Sequence, residues 1–163
     1  MEKDPLTYTV IGCAMKVHNK LGPGFQEVIY ARSLAIELRR AGISYVRELE
    51  LEVNYDDFEV GTRRADFVVE NVLTVEIKAK YELEASDLIQ AKNYTVVYNY
   101  PRGLLINFGS LKLQYKLLFN PKYNNPNYIS QKKEEMKKCV PPTIDQGVSQ
   151  LICPHCGKSI LIR

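Results

Sequence analysis

The stretch RADFVVENVLTVEIKAK, residues 64–80, carries the pattern on which the fold turns. Side chains alternate between the two faces of a strand, so residues two apart lie about 6.5–7 Å from each other along one face. In VLTVEIKAK, Val72, Thr74, Glu76, Lys78 and Lys80 therefore share one face, and Leu73, Val75, Ile77 and Ala79 share the other. The second set is apolar and suits a core; the first is polar and can do chemistry. Residues 62–69, TRRADFVV, place Arg64, Asp66 and Val68 on one face and Ala65, Phe67 and Val69 on the other. Both runs carry β-branched residues, and Glu70-Asn71 between them is a turn signal, which predicts a hairpin. Directly opposed residues of an antiparallel pair share a face. Asp66 thus joins Glu76 only if Val69 pairs with Leu73 around an odd loop such as Glu70-Asn71-Val72. A two-residue loop would set Asp66 opposite Val75, on the wrong side.

Two carboxylates together with a backbone carbonyl form a hard oxygen site of the kind that takes Mg²⁺ or Mn²⁺, ions that keep several waters and bind phosphate oxygens directly. Lys78, two residues from one carboxylate, reaches the same cavity. It can orient or deprotonate an attacking water, or neutralise charge building on a phosphate. The plainer alternative is an exposed ladder in which Glu76 and Lys78 are ordinary charges on a solvated sheet face.

A further acid comes from the segment KLGPGFQEVIYARSLAIELRRAGI, residues 20–43. After its Gly-Pro-Gly turn, Glu27, Tyr30, Ala31, Leu34, Ala35 and Leu38 fall on one helical face, predicting a helix over residues 26–40. That face is otherwise apolar or aromatic, which aims Glu27 along a buried stripe. The competing explanation is capping, since acids are favoured in a first helical turn and at its third position.

Gly24, Glu27 and Tyr30 form a G-x2-E-x2-Y pattern that resembles the signature of the GxxExxY proteins, a branch of the PD-(D/E)XK nuclease superfamily. Val17-His18-Asn19-Lys20-Leu21-Gly22-Pro23-Gly24 is similar to the approach to that family's second helix, Arg64-Ala65-Asp66 to its second-strand acid, and Val75-Glu76-Ile77-Lys78-Ala79 to its third-strand E-x-K. Gln90 and Tyr94 resemble the Q-x3-Y element of several related nucleases, and Gly103 to Phe108 the strand that follows. The likeness spans about residues 6–120, with Ala65 where a proline stands in the superfamily's name. It implies a restriction-endonuclease-like α/β fold, a mixed sheet flanked by helices, and a Mg²⁺- or Mn²⁺-dependent nuclease acting on nucleic acid, chiefly DNA. By the same resemblance Asp66, Glu76 and the Ile77 carbonyl hold the metal, Lys78 serves the water, Glu27 is a helix-borne carboxylate tuning the site, and Gln90 supports Lys78 or a phosphate. Tyr30 and Tyr94 are expected in the core with their hydroxyls hydrogen-bonded. His18, with no ligand partner in view, is expected to brace a turn. The rival function is a nucleic-acid- or protein-binding module that keeps the fold without chemistry.

The 163 residues, 45% hydrophobic, suffice for one core and a tail. The predicted order is two helices (6–20 and 26–41), strands over 44–54, 58–69 and 73–80, a helix over 86–97, and strands over 102–108 and 111–118. No apolar run approaches a membrane span and the start, MEKDPLTYT, lacks a signal pattern, so a cytoplasmic chain with no membrane contact and reduced cysteines is expected. One domain and a tail are expected, a nuclease-like domain over 1–120 and a basic linker and tail over 121–163. The tail holds seven Lys and Arg against three acids, which leaves fifteen bases and sixteen acids in residues 1–120. The basic excess therefore belongs to the tail, either as an aid to holding a phosphate backbone or as a solvated linker. Cys153-Pro154-His155-Cys156-Gly157 resembles one knuckle of a zinc ribbon. Structural Zn²⁺ takes four ligands, and Cys139 offers a third; zinc within one chain, zinc shared across a homodimer, and a metal-free tail all remain open.

Overall fold

The computed structural model describes residues 4–121 and 123, together with the backbone of two short strands at 150–152 and 159–161. The chain divides into two units, Met1–Tyr123 and Asn124–Arg163. In the first, α1 (Pro5–Leu21) and α2 (Glu27–Arg40) precede β1 (Tyr45–Tyr55), β2 (Phe58–Val69) and β3 (Leu73–Lys78); α3 (Ala85–Val97) then leads to β4 (Arg102–Asn107) and β5 (Gln114–Phe119). In the second, β6 (Gln150–Ile152) and β7 (Ser159–Leu161) form an antiparallel pair. The knuckle at Cys153–Cys156 and the candidate zinc ligand Cys139 lie outside the described residues.

The elements start and stop for local reasons. Asp4 caps α1 by accepting the Thr7 N–H at 3.0 Å, with Pro5 at the first helical position, where its missing N–H costs nothing. Gly22, at φ 67°, ends that helix in a conformation that suits glycine. α3 opens on a capping box in which Glu84 and Asp87 bind each other's backbone N–H groups. The loop between β2 and β3 is the three residues Glu70, Asn71 and Val72, with Glu70 and Asn71 both left-handed (φ 49° and 56°) and the Val72 N–H returning to the Val69 carbonyl at 3.1 Å.

That loop fixes the register. Val69 pairs with Leu73, Val68 with Thr74 and Phe67 with Val75, the odd-loop pairing that the parity argument requires. The five strands lie in the order β1-β2-β3-β4-β5, antiparallel throughout except for the parallel pair β3/β4 bridged by α3. One sheet face presents Phe67, Val69, Val75, Ile77, Leu104 and Ile106 to Val10, Ala14 and Val17 of α1 and Tyr30, Leu34 and Leu38 of α2, all buried. The other face, which carries Thr74 and Glu76, is covered in part by α3. There a side chain at Gly103 would come within 2.3 Å of the Thr95 Cγ2 atom. This is an α/β mixed sheet flanked by helices, consistent with a restriction-endonuclease-like fold.

Two boundaries differ from expectation by more than one residue. β3 ends at Lys78, not Lys80, because the Lys80 N–H is taken by the Asn107 side chain at 3.0 Å and leaves the ladder. β5 begins at Gln114, not 111, because residues 107–114 close a turn in which Asn107 also binds Ser110 and Gln114, each at 3.1 Å.

Candidate active site

Continuing the β2/β3 register by one rung sets Asp66 opposite Glu76, on the face shared with Lys78. The Asp66 carboxylate reaches across the ladder and accepts the Ile77 N–H at 2.7 Å. One oxygen of Glu76 accepts from the Lys78 ammonium at 2.9 Å. Its second oxygen is buried with no hydrogen-bond partner, and Glu76 as a whole is only 6% exposed. Native structures rarely leave a buried carboxylate oxygen unsatisfied, because the desolvation cost is not recovered.

The charges tell the same story. Burial, and then the neighbouring charge of Asp66, push the Glu76 carboxyl up to about 7, against the pull of Lys78. Asp66 is raised as well, by burial above all, although the Ile77 N–H and Lys78 draw it down. Burial opposes the charge on Lys78, yet its bond to Glu76 and the surrounding acids raise its pKa on balance, so it is an ammonium at neutral pH. One cation therefore faces two clustered carboxylates and Glu27 beyond them. A further positive charge would relieve that repulsion.

Glu27 is where the sequence expectation needs correcting. It is exposed at the first position of α2 and does not run along the buried stripe, nor does it cap its own helix. The stripe begins only at Tyr30; the helix start overhangs the end of β3, and the Glu27 carboxylate accepts the Ala79 N–H at 3.3 Å. That contact brings it to the rim of the Asp66–Glu76–Lys78 group, whose charges it perturbs. Gln90 is also placed differently. Its amide donates to the Tyr94 hydroxyl at 3.2 Å, and the Lys78 ammonium donates to Glu76 instead of to the Gln90 oxygen. Lys80, on the Glu76 face by parity, is drawn off by Asp87 at 3.0 Å and Glu84 at 3.3 Å.

The remaining expectations concern support. Tyr30 is buried, stacks on Phe108 with centroids 4.7 Å apart, donates its hydroxyl to the Gly22 carbonyl at 2.7 Å and accepts the Phe25 N–H at 3.1 Å. It staples the Gly22–Phe25 turn from which α2, and so Glu27, departs. Tyr94 is buried too. His18 braces a more distant turn than its own, meeting the Ser110 carbonyl at 2.9 Å. Sequence reasoning missed Asn107, fully buried beside Lys78 in the β3/β4 register, which binds the N–H groups of Lys80 and Gly109. An asparagine closing the apolar run Gly103-Leu104-Leu105-Ile106 was the available signal. It also missed Gly109, where a Cβ would strike the Lys80 carbonyl at 2.4 Å.

A family model for the PD-(D/E)XK nuclease superfamily matches residues 4–118. The chain belongs to that superfamily. A solved structure titled "Crystal structure of SSO0001" is 18% identical with a TM-score of 0.47, over 71% of this chain and 60% of that one, so this chain spans less than two thirds of its length. No curated protein matches. Superfamily members generally use divalent metals, and the residues present fit one: an unpartnered buried oxygen on Glu76, a second acid on the adjacent strand, and a net negative charge. Among the described residues no three Asp, Glu, His or Cys side chains converge as a preassembled metal cluster. Backbone carbonyls and water must complete the shell, as suits a hard cation with few protein ligands. Among those residues, too, no helix is long and apolar enough to cross a membrane.

Proposed function

We propose that this chain is a hydrolase that cleaves phosphodiester bonds of nucleic acid, DNA first, with Mg²⁺ or Mn²⁺, and that it falls in the GxxExxY branch of the superfamily. The observation that carries the proposal is the orphaned, buried oxygen of Glu76 lying on the Asp66 rung beside Lys78. Asp66, Glu76 and the Ile77 carbonyl would hold the ion. When bound there, it supplies positive charge against the phosphate oxygens and acidifies water. An ion there would displace the proton of Glu76, at some cost below pH 7, because Glu76 otherwise keeps its proton up to about that pH. Lys78, held as an ammonium, donates hydrogen bonds and neutralises charge at the phosphate; it does not serve as the base while so paired. Glu27 fixes the Ala79 amide and adds negative charge at the rim. The branch assignment is supported by Gly24 (φ 106°), by Glu27 at the rim and by the Tyr30 staple.

One observation favours the non-catalytic alternative: residues 1–120 carry no basic excess with which to hold a polyanion. Cleavage of single- and double-stranded DNA and RNA with Mg²⁺ or Mn²⁺, against an Asp66→Ala control, decides between the two. Metal-dependent cleavage lost in the variant supports the nuclease. Absence of both cleavage and metal binding in the wild type leaves the binding module.

A further inference from the structure

Tyr98 lies just past α3, fully buried, with its ring 6.0 Å from Tyr100 in a stacked arrangement and 6.4 Å from Tyr94 edge-on. Its hydroxyl does not end in a side-chain partner. It accepts the Ala65 N–H at 3.0 Å and offers its single proton to the Leu49 carbonyl and, at 3.1 Å, the Arg63 carbonyl. Leu49 and Ala65 are paired residues of β1 and β2. The phenol is therefore wedged into the ladder from the α3 side, between a donor and an acceptor that would otherwise face each other.

The next rung is Asp66. The register flanking it, Arg47 with Phe67 and Leu49 with Ala65, leaves Glu48 opposite Asp66, and Glu48 adopts φ 52°, left-handed and unfavourable for a non-glycine residue. Residues held in such sparsely populated backbone conformations cluster at functional sites, where the surrounding structure must hold them. We propose that Tyr98 is a positioning residue for Asp66: its hydroxyl holds β2 away from β1 at Ala65 and so sets the direction from which the Asp66 carboxylate reaches the Ile77 amide and the metal position. The proposal rests on the reading of Asp66 as a metal ligand. Tyr98 touches no substrate; it acts through the backbone of one residue.

Tyr98→Phe keeps the ring and deletes the wedge, letting β1 and β2 close directly. Calorimetric titration of the full chain with Mn²⁺ gives affinity and stoichiometry separately, and these separate positioning from mere destabilisation. Tyr98→Phe is expected to weaken Mn²⁺ binding about 10-fold or more at unchanged stoichiometry, as loss of outer-shell support does at metal sites. Tyr45→Phe, which deletes another partly buried tyrosine hydroxyl, bonded to the Ala35 carbonyl at 3.0 Å, is expected to leave the affinity unchanged. Unchanged affinity in Tyr98→Phe, or a fall in stoichiometry alone, overturns the proposal. Equal weakening in Tyr45→Phe overturns it as well. Asp66→Asn is the separate control: if it binds Mn²⁺ as the wild type does, the metal-site reading itself has failed and the proposal falls with it. Should Tyr98→Phe not fold, 3-fluorotyrosine at position 98 keeps the shape and weakens the hydroxyl as an acceptor. A weaker Mn²⁺ affinity then supports the proposal, and an unchanged one overturns it.

Discussion

Glu76→Gln should make the metal-free protein more stable, by an amount that grows as pH rises from about 4.5 to 7 and levels off above. In the folded chain the Glu76 carboxyl is raised from its ordinary 4.5 to about 7, by burial first and by Asp66 second, with Glu27 adding and Lys78 subtracting. Between those two pH values the folded state keeps a proton that the unfolded state has lost. Stability from this group is therefore complete below about pH 4.5 and is lost as pH rises through 7. A displacement from 4.5 to about 7 corresponds to about 3 kcal/mol, and with Glu76 almost wholly buried little of it is screened away. Glutamine keeps the shape and an acceptor for Lys78 but forfeits the attraction between ammonium and carboxylate. The expected gain at pH 8.5 in EDTA is accordingly about 1–3 kcal/mol, read as a urea midpoint higher by roughly 1 M, and close to none at pH 4.5. Asp66 titrates in both proteins, so the comparison is between the two pH profiles and not within either. Saturating Mn²⁺ should reverse the order, since only the wild type gains the linkage term, about 4.1 kcal/mol at a thousandfold excess over Kd. Parallel pH profiles for wild type and variant would refute the idea that a buried carboxyl with a raised pKa sits at position 76.

Lys78→Ala should leave Mn²⁺ binding measurable by calorimetry while the single-turnover cleavage rate falls by about 100-fold or more, in the range lost when a charge-stabilising donor is removed. Glu27→Gln should slow cleavage by roughly 10–100-fold without abolishing metal binding, as for residues outside the first ligand sphere; an unchanged rate would return Glu27 to a purely structural role. A chain ending at Tyr123 should remain folded by urea denaturation, because the five-stranded sheet and the three helices of the described residues precede that residue. Any zinc measured by elemental analysis should vanish with residues 124–163, and loss of the fold would show that the domain boundary is wrong.

The sequence determined the α-α-β-β-β-α-β-β order and most element limits, because hydrophobic periodicity and turn residues are local signals. It also determined that Asp66 and Glu76 could share a face, since alternation along a strand is fixed by backbone geometry alone. Whether they did depended on one loop residue. Val72 falls in the loop, and the register that follows puts Asp66 on the Glu76 rung. The tertiary structure alone decided the rest. It took Lys80 out of the site, because Asp87 of α3 lies within 3.0 Å of its ammonium. It moved Glu27 from a helix stripe to the end of β3, because α2 overhangs that strand. It brought the Tyr98 hydroxyl to Ala65, 33 residues away. Each of these depends on how helices pack across a sheet, a long-range outcome that no window of neighbouring residues encodes. The same is true of the pKa of Glu76, which follows from burial beneath elements far from it in the chain.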